Sequence, residues 1–227
     1  MPLKKIVIIG PESTGKSTLC EDLAAHYGTA WAPEYAREYL LTHGKAYQYN
    51  DLLTIAKGQL ALEDACAATL EERIAAGRAN TGSGKQVNDE TRIGADQADA
   101  GSCEPANAGL AASAAAPGGR GSGPPVLFID TDMYVMKVWS EFVFGKCDRW
   151  ILDQIVRRKY DGYLLCRTDL PWTKDELREY PDLLTREKLF RIYKDCMVNQ
   201  ATPWAEIGGN AGERLQMAVE AVGRLIH

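Results

Sequence analysis

The sequence predicts an α/β fold in which a mostly parallel sheet is covered by helices on both faces. One observation is a set of short apolar runs, such as KIVII at residues 5–9 and VLFI at residues 126–129, which are typical of buried parallel strands. Another is that helical patterns separate these runs. The chain has 227 residues, 45% of them hydrophobic and 25% charged, which suits one ordinary globular domain. We therefore expect a single domain over residues 1–227.

Each element follows from a local pattern. Apolar, β-branched or aromatic runs predict strands at residues 5–9, 29–32, 126–129, 162–166 and 204–207. Helical spacing of apolar residues predicts helices at about residues 15–27, 34–43, 51–76, 133–158 with an interruption near Gly145, 174–198 and 211–226. Gly28 and Gly44 are expected to end the first two helices, and Asn50 or Asp51 to cap the third.

Residues 77–125 depart from this alternation. The segment is dominated by Gly, Ala, Ser and Pro, contains no aromatic residue, and has only Val87, Ile93 and Leu110 as large aliphatic residues. Ordering each residue costs on the order of 1–2 kcal/mol, which apolar burial must offset. We therefore expect residues 77–125 to be a low-complexity, disordered insertion within the domain.

Charge and cysteine content exclude several classes of protein. The net charge is -5, which argues against a protein held to nucleic acid or anionic lipid by a general basic field. The 6 cysteines have no C-x-x-C spacing, and the 3 histidines supply no metal-ligand pattern, so neither disulfides nor zinc are expected. The apolar run at residues 6–9 is too short for a signal peptide or a membrane span. We expect a cytoplasmic protein without nucleic-acid or membrane partners.

The strongest motif is GPESTGKS at residues 10–17, which matches G-x-x-x-x-G-K-[ST] between a predicted strand and a predicted helix. In this arrangement backbone N–H groups and a helix N-terminus converge on a polyphosphate. Gly10 and Gly15 let the backbone approach the phosphates, Lys16 places a charge near them, and Ser17 can ligate Mg²⁺. The predicted nucleotide-binding residues are Gly10, Ser13, Thr14, Gly15, Lys16, Ser17 and Thr18.

Carboxylates follow the predicted strands. The run VLFID at residues 126–130 has the form of a Walker B strand, so Asp130 is expected to hold the Mg²⁺ shell together with Ser17. Ligands of open α/β sheets bind outside the carboxyl ends of the strands. Three further carboxylates stand at or just after such ends and are expected to line the same crevice: Glu34, Asp132 and Asp169.

Among nucleotide enzymes, a small-molecule kinase fits best. A GTPase needs an N/T-K-x-D-like motif and an ABC ATPase an LSGGQ-like signature, and the sequence contains neither. A AAA+ or helicase motor is disfavoured by size, because the part of the chain expected to be ordered leaves no room for an additional lid or second motor domain. A kinase also needs arginines that close over the transferring phosphoryl group. Candidates are Arg178, Arg186 and Arg191.

Several segments together resemble the ribosylnicotinamide kinase domain of NadR-type proteins. They are GPESTGKST at residues 10–18, PEYAREYL at 33–40, Gln59, FIDTD at 128–132, GK at 145–146, YDGYLLCRTDLPWTKDELR at 160–178, and Arg186 beyond. The resemblance covers essentially the whole chain outside the insertion. It implies the fold of P-loop nucleoside and nucleotide kinases, with ATP and Mg²⁺ as cofactors. It also implies transfer of the γ-phosphate to the ribose 5′-hydroxyl of nicotinamide riboside, which gives nicotinamide mononucleotide.

The chain departs from this family in two ways. NadR proteins commonly carry an N-terminal adenylyltransferase domain, which is not expected here because the phosphate loop begins at Gly10. The insertion at residues 77–125 also stands where the family has a short connection. Neither difference falls within the matched motifs.

Roles for the matched residues follow from this framework. Asp132 or Glu34 is expected to orient the 5′-hydroxyl or accept its proton, and the sequence does not decide between them. The cationic nicotinamide ring favours an aromatic partner, for which Trp172, Tyr35, Tyr134 and Trp139 are candidates. The predicted catalytic set is Lys16, Asp132, Glu34, Arg178 and Arg186. The predicted substrate-binding set is Tyr35, Arg37, Gln59, Asp132 and Trp172, and the adenine loop is expected at residues 208–210.

Two other functions remain open. One is a P-loop kinase for another nucleoside or small metabolite, which a panel of acceptors would reveal. The other is a regulatory P-loop ATPase that switches a protein partner, with residues 77–125 as its docking segment. Such a switch would hydrolyse ATP slowly without any acceptor.

Overall fold

The computed structural model describes residues 2–81 and 124–226. The predicted disorder of the insertion falls largely on residues 82–123, which lie outside the described residues. The strands are β1 (Lys4–Ile9), β2 (Trp31–Ala32), β3 (Val126–Asp130), β4 (Gly162–Cys166) and β5 (Trp204–Ile207). The helices are α1 (Lys16–Tyr27), α2 (Tyr35–His43), α3 (Tyr49–Thr81), α4 (Met133–Phe144), α5 (Arg149–Arg157), α6 (Leu183–Val198) and α7 (Ala211–Leu225).

The five strands form one sheet in the order β2-β3-β1-β4-β5, and all four neighbouring pairs are parallel. The predicted mostly parallel sheet is therefore confirmed. Ile8 of β1 lies opposite Asp130 of β3 on one side and Leu164 of β4 on the other. The chain leaves β1 at the centre of the sheet, between the carboxyl ends of β3 and β4. This is where ligands of open α/β sheets bind.

Alternation along the central strands gives the sheet two apolar faces. Ile6 and Ile8 pack in one core, which α1 and α7 cover. Val7 and Ile9 pack in the other, which α3, α4 and α6 cover. Both sets of side chains are fully buried, as expected for parallel strands with helices on each side.

A third apolar cluster joins α2, α3, α4 and α5 beside the sheet. Its fully buried members include Leu52 and Ile55 of α3, Met136 of α4 and Ile151 of α5. This cluster fixes the helices that flank the carboxyl end of β3, and so it supports one wall of the cleft described below.

Two element boundaries differ from the prediction. Helix was predicted over residues 174–198, but α6 begins only at Leu183, and residues 174–182 contain no regular helix. Pro181 disfavours helical geometry at the preceding residue, and the side chain of Asp182 accepts from the N–H of Thr185 to start α6 instead.

The third helix was predicted to end near Ala76 but continues to Thr81, since a glycine such as Gly77 costs only about 1 kcal/mol inside a helix. The residues 77–81 assigned to the insertion are therefore helical. Although α3 is 33 residues long, no helix in the described parts of the chain is both long and apolar enough to cross a membrane.

Candidate active site

The loop between β1 and α1 wraps tightly around the start of the helix. Gly10 has φ 142°, and a Cβ there would lie 2.8 Å from the carbonyl oxygen of Cys166 in β4. Gly15 has φ 75° and is the N-cap of α1, without a side chain to occupy the first-turn N–H groups. The Nζ of Lys16 donates to the carbonyl oxygen of Pro11 at 3.0 Å, which folds the lysine back over the loop. This geometry suits a polyphosphate.

Ser17 and Asp130 meet beside this loop. The Oγ of Ser17 donates to Oδ2 of Asp130 at 2.5 Å. Burial raises the pKa of Asp130, and the nearby Lys16 and the hydrogen bond from Ser17 oppose that rise. The two side chains place hard oxygen donors next to the phosphate loop, as Mg²⁺ prefers.

A cleft of about 520 Å³ opens from the phosphate loop toward α2 and α4. Among the described residues, six carboxylate side chains line it: Glu12, Glu21, Glu34, Asp130, Asp175 and Glu179. Three basic side chains line it: Lys16, Arg37 and Arg178. Six aromatic side chains complete the wall: Trp31, Tyr47, Trp139, Phe142, Tyr180 and Tyr193. The cleft is therefore acidic and aromatic away from the loop.

Glu34 follows β2, is the N-cap residue of α2 and lines the cleft. Its side chain does not cap the helix. Burial and then the neighbouring charge of Asp130 raise the pKa of the Glu34 carboxyl. A carboxylate with a raised pKa that faces a cleft is suited to accept a proton.

Asp132 is not brought to the cleft, contrary to the prediction. Its Oδ1 accepts from the N–H groups of Tyr134 at 2.9 Å and Val135 at 3.4 Å, so it caps α4. Its Oδ2 accepts from the hydroxyl of Tyr163 at 3.0 Å. The residue is 1% exposed, and burial raises the pKa of its carboxyl to about 7. With both oxygens bonded inside the protein, Asp132 positions α4.

Three predicted substrate-binding residues also lie outside the cleft lining. Gln59 is 1% exposed and bonds the N–H of Tyr35 and the carbonyl oxygens of Pro33 and Asp130, so it joins β3 to the start of α2. The ring of Tyr35 covers Gly58, where a Cβ would overlap it. The indole N–H of Trp172 donates to Glu12 at 3.4 Å. Gln59 and Trp172 thus act on the cleft through the lining residues that they bond.

Two of the predicted arginines line the cleft and two do not. Arg37 lines the cleft and forms a two-pronged pair with Asp175, and this bond lowers the pKa of Asp175 to about 2. Arg178 also lines the cleft and donates to the carbonyl oxygen of Thr173 at 2.5 Å. Arg186 does not: it is 2% exposed and holds two backbone carbonyl oxygens. Arg191 is exposed on α6 and pairs with Glu187.

Of the aromatic candidates, Trp139 lines the cleft and Tyr134 does not. The indole N–H of Trp139 donates to the hydroxyl of Tyr47 at 2.8 Å, and this hydroxyl donates to Glu179 at 3.1 Å. The rings of Tyr47 and Trp139 meet edge to face at 4.9 Å. Tyr47 was missed because a tyrosine in the connection between α2 and α3 carries no sequence signal of its own.

Arg214 was also missed, although it organises the loop ends. It is 3% exposed and donates to the carbonyl oxygens of Thr14 at 2.9 Å, Gly209 at 2.8 Å and Arg167 at 3.1 Å. It also bonds Asp169, which accepts from the N–H of Gly209 and so faces this network, not the cleft. An arginine on the buried face of α7, four residues before Ala218, was the available signal.

Two curated relatives match part of the chain. They are the trifunctional NAD biosynthesis/regulator proteins NadR of Salmonella typhimurium and Escherichia coli, each 42% identical over 60 residues. The match covers 25% of this chain and 15% of each relative. The chain thus spans a small part of the curated relatives that it matches, and the similarity confirms the resemblance to NadR-type proteins.

Solved structures confirm the P-loop kinase fold. A NadR protein in complex with NR superimposes with a TM-score of 0.63 at 16% identity, and NadR in complex with NAD and AMP-PNP with 0.56 at 17%. Both matches cover 98% of this chain and 49% of the NadR chain. A thymidylate kinase from Ehrlichia chaffeensis matches over its full length with a TM-score of 0.51 at 9% identity.

A family model described as AAA domain matches residues 5–79 and 87–214. The match includes the phosphate loop, both sides of the cleft and Arg214. The expectation against a AAA+ motor rested on the size of the chain, and the matched residues include parts of all five strands of the P-loop sheet. Since the family model matches most of the chain, the protein belongs to the AAA domain family of P-loop proteins.

Proposed function

We propose that the protein is an ATP-dependent kinase that phosphorylates the ribose 5′-hydroxyl of nicotinamide riboside and releases nicotinamide mononucleotide. The phosphate loop, the paired Ser17 and Asp130, and the adjacent cleft support a phosphoryl-transfer enzyme. The likeness to NadR proteins, one of them in complex with NR, supports this acceptor.

The observation that carries the choice of acceptor is the charge of the cleft. Among the described residues, the cleft is lined by six carboxylate side chains and only three basic ones, so its net charge is negative. One of the three basic side chains, Lys16, belongs to the phosphate loop. A cationic nicotinamide ring is attracted to such a site, while an anionic nucleotide acceptor is repelled. Aromatic faces add about 0.5–2 kcal/mol of cation–π attraction, and Tyr47 and Trp139 stand on this wall.

Glu34 is the carboxylate proposed to orient the 5′-hydroxyl and accept its proton, because it faces the cleft and its pKa is raised. Lys16 and Arg178 are proposed to balance charge on the transferring phosphoryl group. Arg37 is held by Asp175 at the rim and is proposed to border the acceptor. Phosphoryl transfer depends mainly on this positioning and charge balance.

Mg²⁺ is proposed to bind at Ser17 and Asp130. No group of three or more His, Cys, Asp or Glu side chains suited to a metal occurs in residues 2–81 and 124–226. This agrees with Mg²⁺ chemistry, since the ion is usually held by one or two protein oxygens together with phosphates and water. When bound, the ion would neutralise charge on the β and γ phosphates.

The adenine base is proposed to lie near the turn that opens α7. Gly208 and Gly209 line a shallow second depression together with Arg167 and Met217. Arg214 ties this turn to the phosphate loop through Gly209 and Thr14. The buried side chain of Arg214 therefore fixes the proposed adenine region relative to the phosphate loop.

ADP release across a panel of acceptors tests the proposal. Each reaction contains ATP and Mg²⁺ with nicotinamide riboside, an uncharged nucleoside such as uridine, or a nucleoside monophosphate such as thymidylate. We expect the highest kcat/KM with nicotinamide riboside. A preference for uridine or thymidylate would identify a different P-loop kinase, and acceptor-independent hydrolysis alone would favour the regulatory ATPase.

A further inference from the structure

Glu12 occupies a variable position of the phosphate loop and binds a distant part of the chain. Its Oε1 accepts from the N–H of Tyr180 at 2.5 Å and from the indole N–H of Trp172 at 3.4 Å. Its Oε2 accepts from the N–H of Glu179 at 2.9 Å. All three donors belong to the β4–α6 segment, residues 167–182, which connects β4 to α6. One carboxylate thus carries three contacts between the phosphate loop and this segment.

The neighbouring residue, Ser13, makes a second attachment. Its Oγ accepts from the N–H of Thr173 at 3.0 Å. Its carbonyl oxygen accepts from Nη2 of Arg186, which also donates to the carbonyl oxygen of Leu170. Ser13 has φ 57°, a left-handed conformation that is uncommon for a residue with a side chain. Two successive residues of the phosphate loop therefore hold the β4–α6 segment.

The β4–α6 segment carries part of the cleft wall. Five of its side chains line the cleft: Asp175, Leu177, Arg178, Glu179 and Tyr180. Residues 174–182 have no regular helix or strand, so neighbouring backbone does not fix them in a regular ladder. The N–H groups of Glu179 and Tyr180 are bonded by Glu12 instead. The position of Arg178, directly before them, therefore depends on Glu12 together with Asp175. The carbonyl oxygen of Asp175 accepts from the N–H of Arg178, and the side chain of Asp175 is held by Arg37.

We propose that Glu12 is a positioning residue that fixes the β4–α6 segment, and Arg178 with it, over the phosphate loop for phosphoryl transfer. The catalytic consequence rests on the proposed kinase function, while the positioning itself does not. A carboxylate is suited to this task because it is an acceptor at both oxygens. An anionic side chain opposes polyphosphate binding, so its presence in this loop calls for a role other than holding ATP.

Amide hydrogen exchange on the full-length chain without nucleotide tests the positioning. Glu12→Gln keeps one acceptor oxygen, and Glu12→Ala removes both; Glu72→Gln, at an exposed position of α3, is the control. We expect exchange of a peptide spanning residues 173–182 to rise in the order parent, Glu12→Gln, Glu12→Ala, by at least tenfold in the last. Exchange in α7 should not change in any variant.

Steady-state kinetics with nicotinamide riboside tests the consequence for catalysis. Glu12→Ala should lower kcat at least tenfold, while the KM for ATP stays equal or falls because a negative charge has been removed. Unchanged protection of residues 173–182 would overturn the proposal, as would an unaltered kcat with a raised KM for ATP. A parent chain that does not phosphorylate nicotinamide riboside would refute the proposed function only, and the exchange result would still decide the role of Glu12.

Discussion

The hydroxyl of Ser17 donates to the carboxylate of Asp130 across 2.5 Å, which joins the first turn of α1 to the end of β3. The two residues are 113 positions apart in the chain. Parallel pairing of β1 with β3 brings them together, since Ile8 lies opposite Asp130. The bond sets both oxygens beside the phosphate loop.

Asp130→Asn tests the metal assignment. The amide keeps the size of the side chain and removes its charge, so kcat should fall and more Mg²⁺ should be needed for half-maximal activity. Titration of activity with MgCl₂ measures both effects. An unchanged Mg²⁺ dependence would remove Asp130 from the metal site.

Lys16→Ala removes a proposed counter-charge to the transferring phosphoryl group. We expect kcat to fall at least about 100-fold, in line with the loss of a major electrostatic contact in the transition state. The free energy of unfolding should fall by no more than about 2 kcal/mol, since Lys16 makes one bond to the Pro11 carbonyl oxygen and offsets the charge of the buried Asp130. Lys159→Ala, at an exposed position, is the matched control. Retention of full turnover would refute the phosphate-loop assignment.

A comparison of Glu34→Gln with Asp132→Asn tests which of these two carboxylates orients the 5′-hydroxyl, a choice that the sequence does not decide. Glu34 faces the cleft, so its amide variant should lose about 100-fold or more in kcat. Asp132→Asn keeps an oxygen to cap α4, and kcat should stay within about threefold. Initial rates at saturating ATP compare the two variants. If Asp132→Asn lost as much kcat as Glu34→Gln, orientation of the acceptor would belong to Asp132.

The pH profile of kcat should reflect the ionisation of Glu34. A proton acceptor works in its ionised form, and burial raises the pKa of Glu34 above its ordinary value of about 4.3. Activity should therefore be constant above the raised pKa and fall about tenfold per pH unit as the pH drops below it. Glu34→Gln should abolish this acidic limb. An acidic limb that persists unchanged in the variant would point to another group.

Arg178→Ala and Arg186→Ala should have different effects. Arg178 faces the cleft, so its loss should lower kcat while the free energy of unfolding changes by less than about 1 kcal/mol. Arg186 is buried and holds the carbonyl oxygens of Ser13 and Leu170, so its loss should lower the free energy of unfolding by about 2 kcal/mol. Urea unfolding and kcat measurements check both. Equal stability losses would contradict this division.

The sheet could be predicted because its central strands contain unbroken apolar runs, at residues 6–9 and 126–129, and because α1, α2 and α4 end at glycines with positive φ. Residues 174–182 were wrongly predicted as helix. The backbone N–H groups of Glu179 and Tyr180 are bonded by Glu12, which is more than 160 positions away in the chain. Local patterns do not contain such contacts.

The phosphate loop could be located from the sequence because its residues are neighbours in the chain, and their roles in nucleotide binding remain predictions. The residues on the acceptor side of the cleft were harder to predict. Asp132, Gln59 and Trp172 match family motifs, yet each bonds other protein groups and none lines the cleft. Whether a polar side chain faces a ligand or the protein depends on its rotamer and on packing between distant helices, and motif spacing records neither.

The most direct measurement is mass spectrometry of the product after incubation of the chain with ATP, Mg²⁺ and nicotinamide riboside. We expect a product heavier than the riboside by one phosphoryl group, which co-elutes with nicotinamide mononucleotide and forms in equal amount to ADP. We expect no such product from the 5′-deoxy riboside. ADP formation without phosphorylated riboside, or phosphorylation of the 5′-deoxy compound, would refute the proposed kinase function.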